Sequence, residues 1–185
     1  MTDFQSPLAP ALPLFLGAIT WHGPNSALQA AGQAALPPAV RTWVANLVSY
    51  APVIVPYPYP VKRVFWVNGS TITTTNVDFG IYTWDGTRIY NTGSTAMSGA
   101  SAVQYVTPGT DFILSPARYY FAWTCNGTTS RGYAGGSTSA NAPRLAGMLE
   151  ETTGGFGLPA TMTPVAYARS WGPSVCGVTR TTTGF

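Results

Sequence analysis

The clearest pattern in this chain is the alternation of apolar and polar positions across residues 77–90, VDFGIYTWDGTRIY. Val77, Phe79 and Ile81 fall on one face of an extended backbone, whereas Tyr82 and Trp84 fall on the other. A strand that is buried on one side has this period of two. An Asp-Gly pair divides the segment, and such a pair favours the positive φ angles of a tight hairpin turn. Residues 77–90 therefore predict a β-hairpin.

Segments of the same character recur from residue 39 onward and are separated by turn residues. They are short and rich in β-branched and aromatic side chains, and no helical segments alternate with them. This arrangement predicts an all-β fold, an antiparallel two-sheet sandwich. The other predicted strands cover residues 41–50, 52–56, 61–67, 102–106, 111–114, 118–125 and 162–171, and a loop is expected over residues 130–142.

Alternation also predicts which side chains form the core. In residues 118–125, RYYFAWTC, the inward set is Tyr119, Phe121 and Trp123. These three side chains would pack against the apolar face of the hairpin. Two inward faces stay open for residues 61–67, namely Val64 with Trp66 and Phe65 with Val67.

Residues 1–38 differ from the rest and predict an irregular N-terminal anchoring arm, followed by the sandwich domain over residues 39–185. Pro7, Pro10 and Pro13 remove backbone donors and favour an extended chain. A segment this apolar must be covered by its own domain or by a partner, and we favour the partner. Its apolar run is too short and too interrupted to span a bilayer, so neither membrane insertion nor a signal peptide is expected. The expected arm anchors are Phe4, Leu14, Phe15, Ile19 and Trp21.

The composition indicates a protein that associates with others. Charged residues make up 8% of the chain, against roughly 25% in an average soluble domain. A surface with so little charge does not keep neighbouring molecules apart, and it suits a component of an assembly. The net charge of +3 comes from scattered arginines. Because they form no basic stripe, nucleic-acid binding is not expected.

Candidate catalytic residues are few. His22 is the only histidine and lies in the arm, so it is not expected to be the oriented base that nucleophilic catalysis needs. Glu150 and Glu151 are adjacent and would point to opposite faces of a strand, whereas a glycosidase needs two facing carboxylates. Asp78 is expected to be a solvated strand residue. We therefore expect no enzymatic activity, no cofactor and no metal site.

Cysteines and sequons add no further chemistry. Cys125 and Cys176 lack metal-ligand spacing, and we interpret them as buried free thiols rather than as a disulfide. Asn68 and Asn126 each begin an Asn-Gly-Ser/Thr glycosylation sequon. Turn formation by Asn-Gly explains both sequons better.

The candidate contact residues are aromatic. Exposed aromatic side chains stack on sugar rings or anchor subunit interfaces. They are also found packed beneath a loop or a second layer, so three interpretations stay open: a subunit interface, a glycan contact and internal packing. The candidates are Tyr82, Trp84, Tyr90 and Tyr120.

Four pieces of sequence, in this order, resemble a β-sandwich (jelly-roll-like) domain of bacteriophage virion proteins. Such domains occur in tail fibres, receptor-binding proteins, and head fibres or decoration proteins. The likeness covers roughly residues 40–172 and rests on hydrophobicity and turns rather than on catalytic signatures. The pieces are residues 41–60, the VDFGIYTWDGTRIYNTGS stretch, residues 108–125 and Gly157-Leu158-Pro159-Ala160-Thr161.

The resemblance implies a non-enzymatic structural protein located in the virion, as a tail, fibre or capsid-decoration component. It also implies a homo-oligomer, usually a trimer, that uses its N-terminal arm to attach to other virion proteins. The alternative is a carbohydrate- or receptor-binding module that attaches to host-surface glycans.

Overall fold

The computed structural model describes residues 18–22, 39–136, 147–169, 171–173 and 175–180. Within these ranges the chain is all-β, as predicted, and the strands pair antiparallel. In chain order they are β1 (Ala18–His22), β2 (Ala39–Thr42), β3 (Leu47–Val55), β4 (Tyr59–Val61), β5 (Arg63–Val67), β6 (Asn76–Thr83), β7 (Arg88–Asn91), β8 (Thr95–Ala96), β9 (Val103–Val106), β10 (Phe112–Leu114), β11 (Ala117–Cys125), β12 (Arg131–Gly136), β13 (Leu149–Thr152), β14 (Val165–Ala166), β15 (Trp171–Pro173) and β16 (Val175–Thr179).

Two layers enclose the main core. One layer is a large sheet with the strand order β14-β13-β3-β11-β6-β7, in which β8 also pairs with β6. The opposite layer is the sheet β1-β16-β5-β9, accompanied by a ribbon of β10 and β4. A smaller sheet has the order β15-β12-β2. Strands far apart in sequence are neighbours in both layers, so the predicted sandwich depends on long-range pairing.

The core between the layers is rich in aromatic side chains. The Phe79 and Phe121 ring centroids lie 5.6 Å apart at its centre. Val64 and Trp66 enter it from the opposite layer, which settles the choice that the sequence leaves open in β5. The predicted inward sets of β6 and β11 are confirmed, since all of their members are buried in this core: Val77, Phe79, Ile81, Tyr119, Phe121 and Trp123.

The predicted hairpin forms from β6 and β7, but its connection is a three-residue loop rather than a two-residue turn. The Thr83 amide donates to the Thr87 carbonyl at 2.9 Å, and the Gly86 amide donates to the Thr83 carbonyl at 3.0 Å. Gly86 has a φ angle of 90°, as in a type I turn that ends in a glycine bulge. Trp84 therefore belongs to the loop and not to the strand.

The outer face of the large sheet is covered by residues 153–164, which we call the crossing segment. The Arg88 amide donates to the Ala160 carbonyl and the Met162 amide donates to the Gly86 carbonyl, both at 2.9 Å. These bonds tie the crossing segment to the hairpin. Leu158 and Met162 belong to a second apolar cluster on this face, with Val48, Tyr50, Tyr82, Tyr120, Ala122 and Leu149.

The single strand predicted over residues 41–50 is divided into β2 and β3. Asn46 lies between them with a φ angle of 60°, a left-handed conformation that asparagine adopts more readily than most residues. Its amide donates to the Cys125 carbonyl at 2.8 Å. β3 then continues through Pro52: among the described residues, β13 pairs with residues 47–50 of β3, and no strand pairs with that side of β3 beyond them. Proline has no backbone N–H donor, and a strand tolerates it on a side where no neighbouring strand needs that donor.

Two further predictions, nearer the C-terminus, are wrong. β12 occupies much of the loop predicted over residues 130–142, because its glycine-rich backbone pairs with β2 and β15. Among the described residues of the final strand predicted over residues 162–171, only β14 and the first residue of β15 are in strands, and β16 follows later in the chain. Pairing with distant strands decides both cases.

Part of the predicted arm pairs with its own domain. β1 lies beside β16, with Ile19 opposite Val178 and Trp21 opposite Cys176. For these residues the chain itself supplies the neighbouring strand. The other predicted anchors lie outside the described residues, and they are Phe4, Leu14 and Phe15.

Cys125 and Cys176 are both buried and free, as the sequence predicts. Burial raises the pKa of the Cys125 thiol to about 11 and that of the Cys176 thiol to about 12. Both thiols are therefore protonated at neutral pH and pack as small apolar side chains.

Gly80 of β6 provides the space that Leu158 fills. A Cβ atom at this position would overlap the Leu158 Cδ1 atom and would lie 3.0 Å from the Tyr90 carbonyl oxygen. We predict that Gly80→Ala lowers the free energy of unfolding by about 1–3 kcal/mol, because neighbours of an overpacked site must shift. Urea unfolding followed by tryptophan fluorescence measures this change.

Gly154→Ala is the matched control, because Gly154 also lies in the crossing segment but a Cβ there would meet no atom within 4 Å. This variant should be nearly as stable as the wild type. Equal stability losses in the two variants would contradict the close packing of Leu158 on Gly80.

Candidate functional site

The four candidate aromatic residues do not share one surface. Tyr82 and Tyr120 lie opposite each other on the outer face of the large sheet. Trp84 stacks on Tyr120 from the hairpin loop. Tyr90 is paired with Ile81 and therefore faces the main core. The structure thus brings three of the four together.

Trp84 is the most exposed of these three residues. It is 49% exposed, whereas Tyr120 is 8% exposed. The two rings are inclined by only 6°, and their centroids lie 4.7 Å apart. Tyr120 covers one face of the indole ring, and about half of Trp84 remains exposed.

Arg118 and Ile54 adjoin this pair, and we call the four residues Trp84, Tyr120, Arg118 and Ile54 the Trp84 surface. The Arg118 guanidinium carbon lies 5.4 Å from the indole centroid, within the range of a cation–π interaction. Ile54 is directly opposite Arg118 in the sheet and is 67% exposed. The surface therefore combines a flat aromatic ring, an aliphatic side chain and one positive charge.

The hairpin loop holds Trp84 in place through Asp85. The Asp85 carboxylate accepts hydrogen bonds from the Thr83 hydroxyl and, at 3.3 Å, from the Thr87 amide. These bonds, above all the one from Thr83, lower the pKa of Asp85. The carboxylate is therefore ionised at neutral pH and supports the turn on which Trp84 is carried.

Tyr82 is fully buried, although alternation places it on the face opposite the core. Its hydroxyl donates to the Pro159 carbonyl at 2.5 Å, and its ring meets Tyr50 edge-on with centroids 5.4 Å apart. Burial raises the pKa of this phenol. The crossing segment occupies the space that alternation leaves open, so packing beneath a loop is the interpretation that describes Tyr82.

Tyr90 also packs against the main core and is not part of an exposed contact surface. Its ring stacks on Phe112, with centroids 5.2 Å apart and the planes 29° from parallel. Burial at the margin of the core raises the pKa of Tyr90 to about 12. The register shift between Ile81 and Tyr82 in β6 lets Tyr90 face the core while Arg88 lies opposite Tyr82 on the outer face.

A buried carboxylate that the sequence did not indicate holds the crossing segment. Asp78, expected to be solvated, is 2% exposed. It accepts the Leu158 amide at 3.0 Å and the Asn91 side-chain amide at 3.0 Å, and a carboxylate needs such donors when it leaves water. The Arg88 guanidinium donates to the Leu158 carbonyl. The available signal was Gly80, because glycine inside a strand often marks a close approach by another backbone.

Glu151 fastens the end of the crossing segment. Its carboxylate accepts the Thr163 hydroxyl at 2.7 Å, the Thr163 amide at 3.0 Å and the Tyr50 hydroxyl at 2.8 Å. Desolvation opposes ionisation, but the hydrogen bonds from Thr163 and Tyr50 outweigh it and lower the pKa of Glu151. Glu150 points to the other face, as predicted, and lies 3.6 Å from Arg169.

The structure also bears on metal binding, on membrane crossing and on the position of His22. In the ranges that the structure describes, no three His, Cys, Asp or Glu side chains lie close enough to hold a metal ion. The same ranges contain no helix of the length and hydrophobicity needed to cross a membrane. His22 is the last residue of β1 and is paired with Val175.

Neither a protein-family model nor a curated protein matches this sequence. Functional inference therefore depends on the residues themselves, and above all on the Trp84 surface and the crossing segment beside it.

We predict that Glu151 makes the stability of the fold sensitive to acid. A carboxyl group whose pKa is lowered by folding stabilises the folded state above its ordinary pKa of 4.5, and this contribution is lost as the pH falls through the lower, folded-state pKa. Glu151→Gln should cost about 1 kcal/mol at neutral pH and should flatten the acid branch of the stability profile. Urea unfolding at a series of pH values from neutral to acid measures both effects.

Asp111→Asn is the control, because the Asp111 carboxylate pairs with Lys62 on the exposed surface, where ion pairs contribute little. Its profile should match that of the wild type. A Glu151→Gln profile that keeps the wild-type acid slope would contradict the assignment.

Proposed function

We propose that the protein is a non-enzymatic structural component of a bacteriophage virion, located in the tail, in a fibre or in the capsid decoration. Support comes from the four sequence pieces that resemble virion β-sandwich domains and from the all-β fold of the region that contains them. The low content of charged residues, 8%, adds support because such a surface favours lasting contact with other subunits.

The Trp84 surface is the observation that carries this proposal. Tryptophan and arginine are the residue types most enriched among interface residues that dominate binding energy. Trp84 is already stacked on Tyr120. Binding of a partner to Trp84 therefore costs little additional side-chain entropy. We therefore assign this surface to contact with another virion subunit.

The proposed assembly is a homotrimer that attaches to other virion proteins through the N-terminal arm. Among the described strands, β1 is the outermost of its sheet, and we propose that the arm extends from this edge. An extended apolar arm can bond to the edge of a neighbour's sheet while its side chains fill pockets. Phe4, Leu14 and Phe15 are the proposed anchors in that arm.

Mass spectrometry of purified virions tests the structural role. We expect many copies of the chain in each particle, and fewer copies of a folded Trp84→Ala variant because it lacks the aromatic anchor. Deleting residues 1–17 retains β1 and should leave a folded sandwich that does not join the particle.

Ile113→Ala is the control for these variants, because Ile113 is 65% exposed but lies on the β4–β10 ribbon, outside the Trp84 surface. This variant should be incorporated normally. Particles without the chain, or normal incorporation of both Trp84→Ala and the truncated protein, would refute the proposal.

A second candidate function is attachment to a host-surface glycan. The exposure of Trp84 favours it, because the indole is held against Tyr120 and beside Arg118 while 49% of the residue stays exposed. The exposed part of the ring offers an apolar, electron-rich surface that a pyranose can contact. Arg118 beside it offers N–H donors for sugar hydroxyl or carboxylate groups.

A glycan array separates the two candidates. Binding by the wild type at about millimolar or tighter affinity, lost in Trp84→Ala and retained in part by Trp84→Phe, is the result expected of a glycan site. Ile113→Ala should bind as the wild type does. Failure of the wild type to bind any glycan would eliminate this second function while leaving the virion experiment to decide the first.

A further inference from the structure

The chain has two Asn-Gly pairs, and the structure gives them opposite environments. Asn68 follows β5 and is fully buried, whereas Asn126 follows β11 and is exposed. In this dipeptide the glycine amide can attack the asparagine side chain with little hindrance, because glycine has no Cβ and a permissive backbone. The environment therefore decides which pair reacts.

Asn126 is held in a way that favours such an attack. The Asn76 amide donates to the Asn126 Oδ1 atom at 2.7 Å. An N–H group on this oxygen polarises the side-chain carbonyl and stabilises the negative charge that develops when its carbon is attacked. Within the described residues, neither the Gly127 amide nor the Asn126 Nδ2 group has a hydrogen-bond partner. The two nitrogens that react therefore have no hydrogen bond to break, although the Asn76 amide holds Oδ1 and the Cys125 thiol donates to the Gly127 carbonyl.

Asn68 has the same neighbour in sequence but is restrained on both sides of its amide. Its Nδ2 group donates to the Ser98 carbonyl at 2.6 Å and to the Gln104 Oε1 atom at 2.9 Å. Its Oδ1 atom accepts from the Trp66 indole at 3.0 Å. The side chain cannot turn toward Gly69 without breaking these buried bonds, which is costly.

We propose that Asn126 is a site of spontaneous covalent modification in the folded protein and that Asn68 is protected. The Gly127 amide loses its proton to hydroxide, its nitrogen bonds to the Asn126 Cγ atom, and the Cγ–Nδ2 bond breaks with release of ammonia. Water then opens the succinimide ring at either carbonyl to give aspartate or isoaspartate. Water and hydroxide are the only co-reactants, and the formal net charge of +3 falls by one unit.

The new charge would appear at the end of β11, beside a cluster of hydroxyl groups. Gly127 approaches Thr75 closely, and the Thr75 hydroxyl accepts from Ser130 at 2.6 Å. An aspartate at position 126 keeps an oxygen acceptor for the Asn76 amide. The aspartate product therefore alters surface charge without removing the pairing of β6 with β11, and its formation requires no partner.

Peptide mapping by mass spectrometry tests this inference on the folded full-length chain, incubated at mildly alkaline pH. The peptide with Asn126 should gain the mass of deamidation and contain isoaspartate. The peptide with Asn68 should react at least about tenfold more slowly, because buried hydrogen bonds must break first. In urea both sites should react at similar rates, since the two dipeptides are the same.

Equal rates for Asn126 and Asn68 in the folded protein, or equal protection of both, would overturn the inference. Asn126→Gln should abolish the acidic species that ion-exchange chromatography resolves, and Asn126→Asp should elute with it. An acidic species that persists in Asn126→Gln would place the reaction elsewhere. The comparison of the two wild-type peptides decides the question even if a variant does not fold.

Discussion

The large sheet has apolar side chains on both of its faces, and the need to cover each face determines the rest of the structure. The inner face packs against the opposite layer, where Phe79 and Phe121 meet. The outer face carries the cluster around Tyr50 and Tyr82, which a two-layer sandwich alone would leave in water. The crossing segment covers this cluster, with Leu158 in the space above a glycine of β6.

An irregular segment can lie on an apolar face only if its backbone groups find partners, because it has no ladder of strand hydrogen bonds. Side chains of the sheet supply them. Asp78 accepts the Leu158 amide, Tyr82 donates to the Pro159 carbonyl, and Glu151 accepts the Thr163 amide. Several of the few charged residues in this chain are thus used beneath or beside the crossing segment rather than on the open surface.

The Trp84 surface lies where the crossing segment no longer covers the outer face of the large sheet. The Met162 amide bonds to the Gly86 carbonyl at 2.9 Å, so the crossing segment meets the hairpin loop without covering the indole of Trp84. The same loop therefore closes one apolar cluster and presents an aromatic ring to solvent. This explains how neighbouring residues on one strand and its loop, Tyr82 and Trp84, differ completely in exposure.

Local patterns in the sequence determined the strands of the hairpin and the inward sets of β6 and β11, because period-two alternation and turn residues act over a few neighbouring positions. Alternation also separated Tyr82 and Trp84 from the core face. Only the tertiary structure decided that Tyr82 and Asp78 are buried, since the segment that covers them is remote: Leu158 lies 80 positions from Asp78. The same holds for β12 and β16, whose partners are distant strands. A strand pattern specifies two faces, but what packs on each face depends on long-range contacts that no local pattern contains.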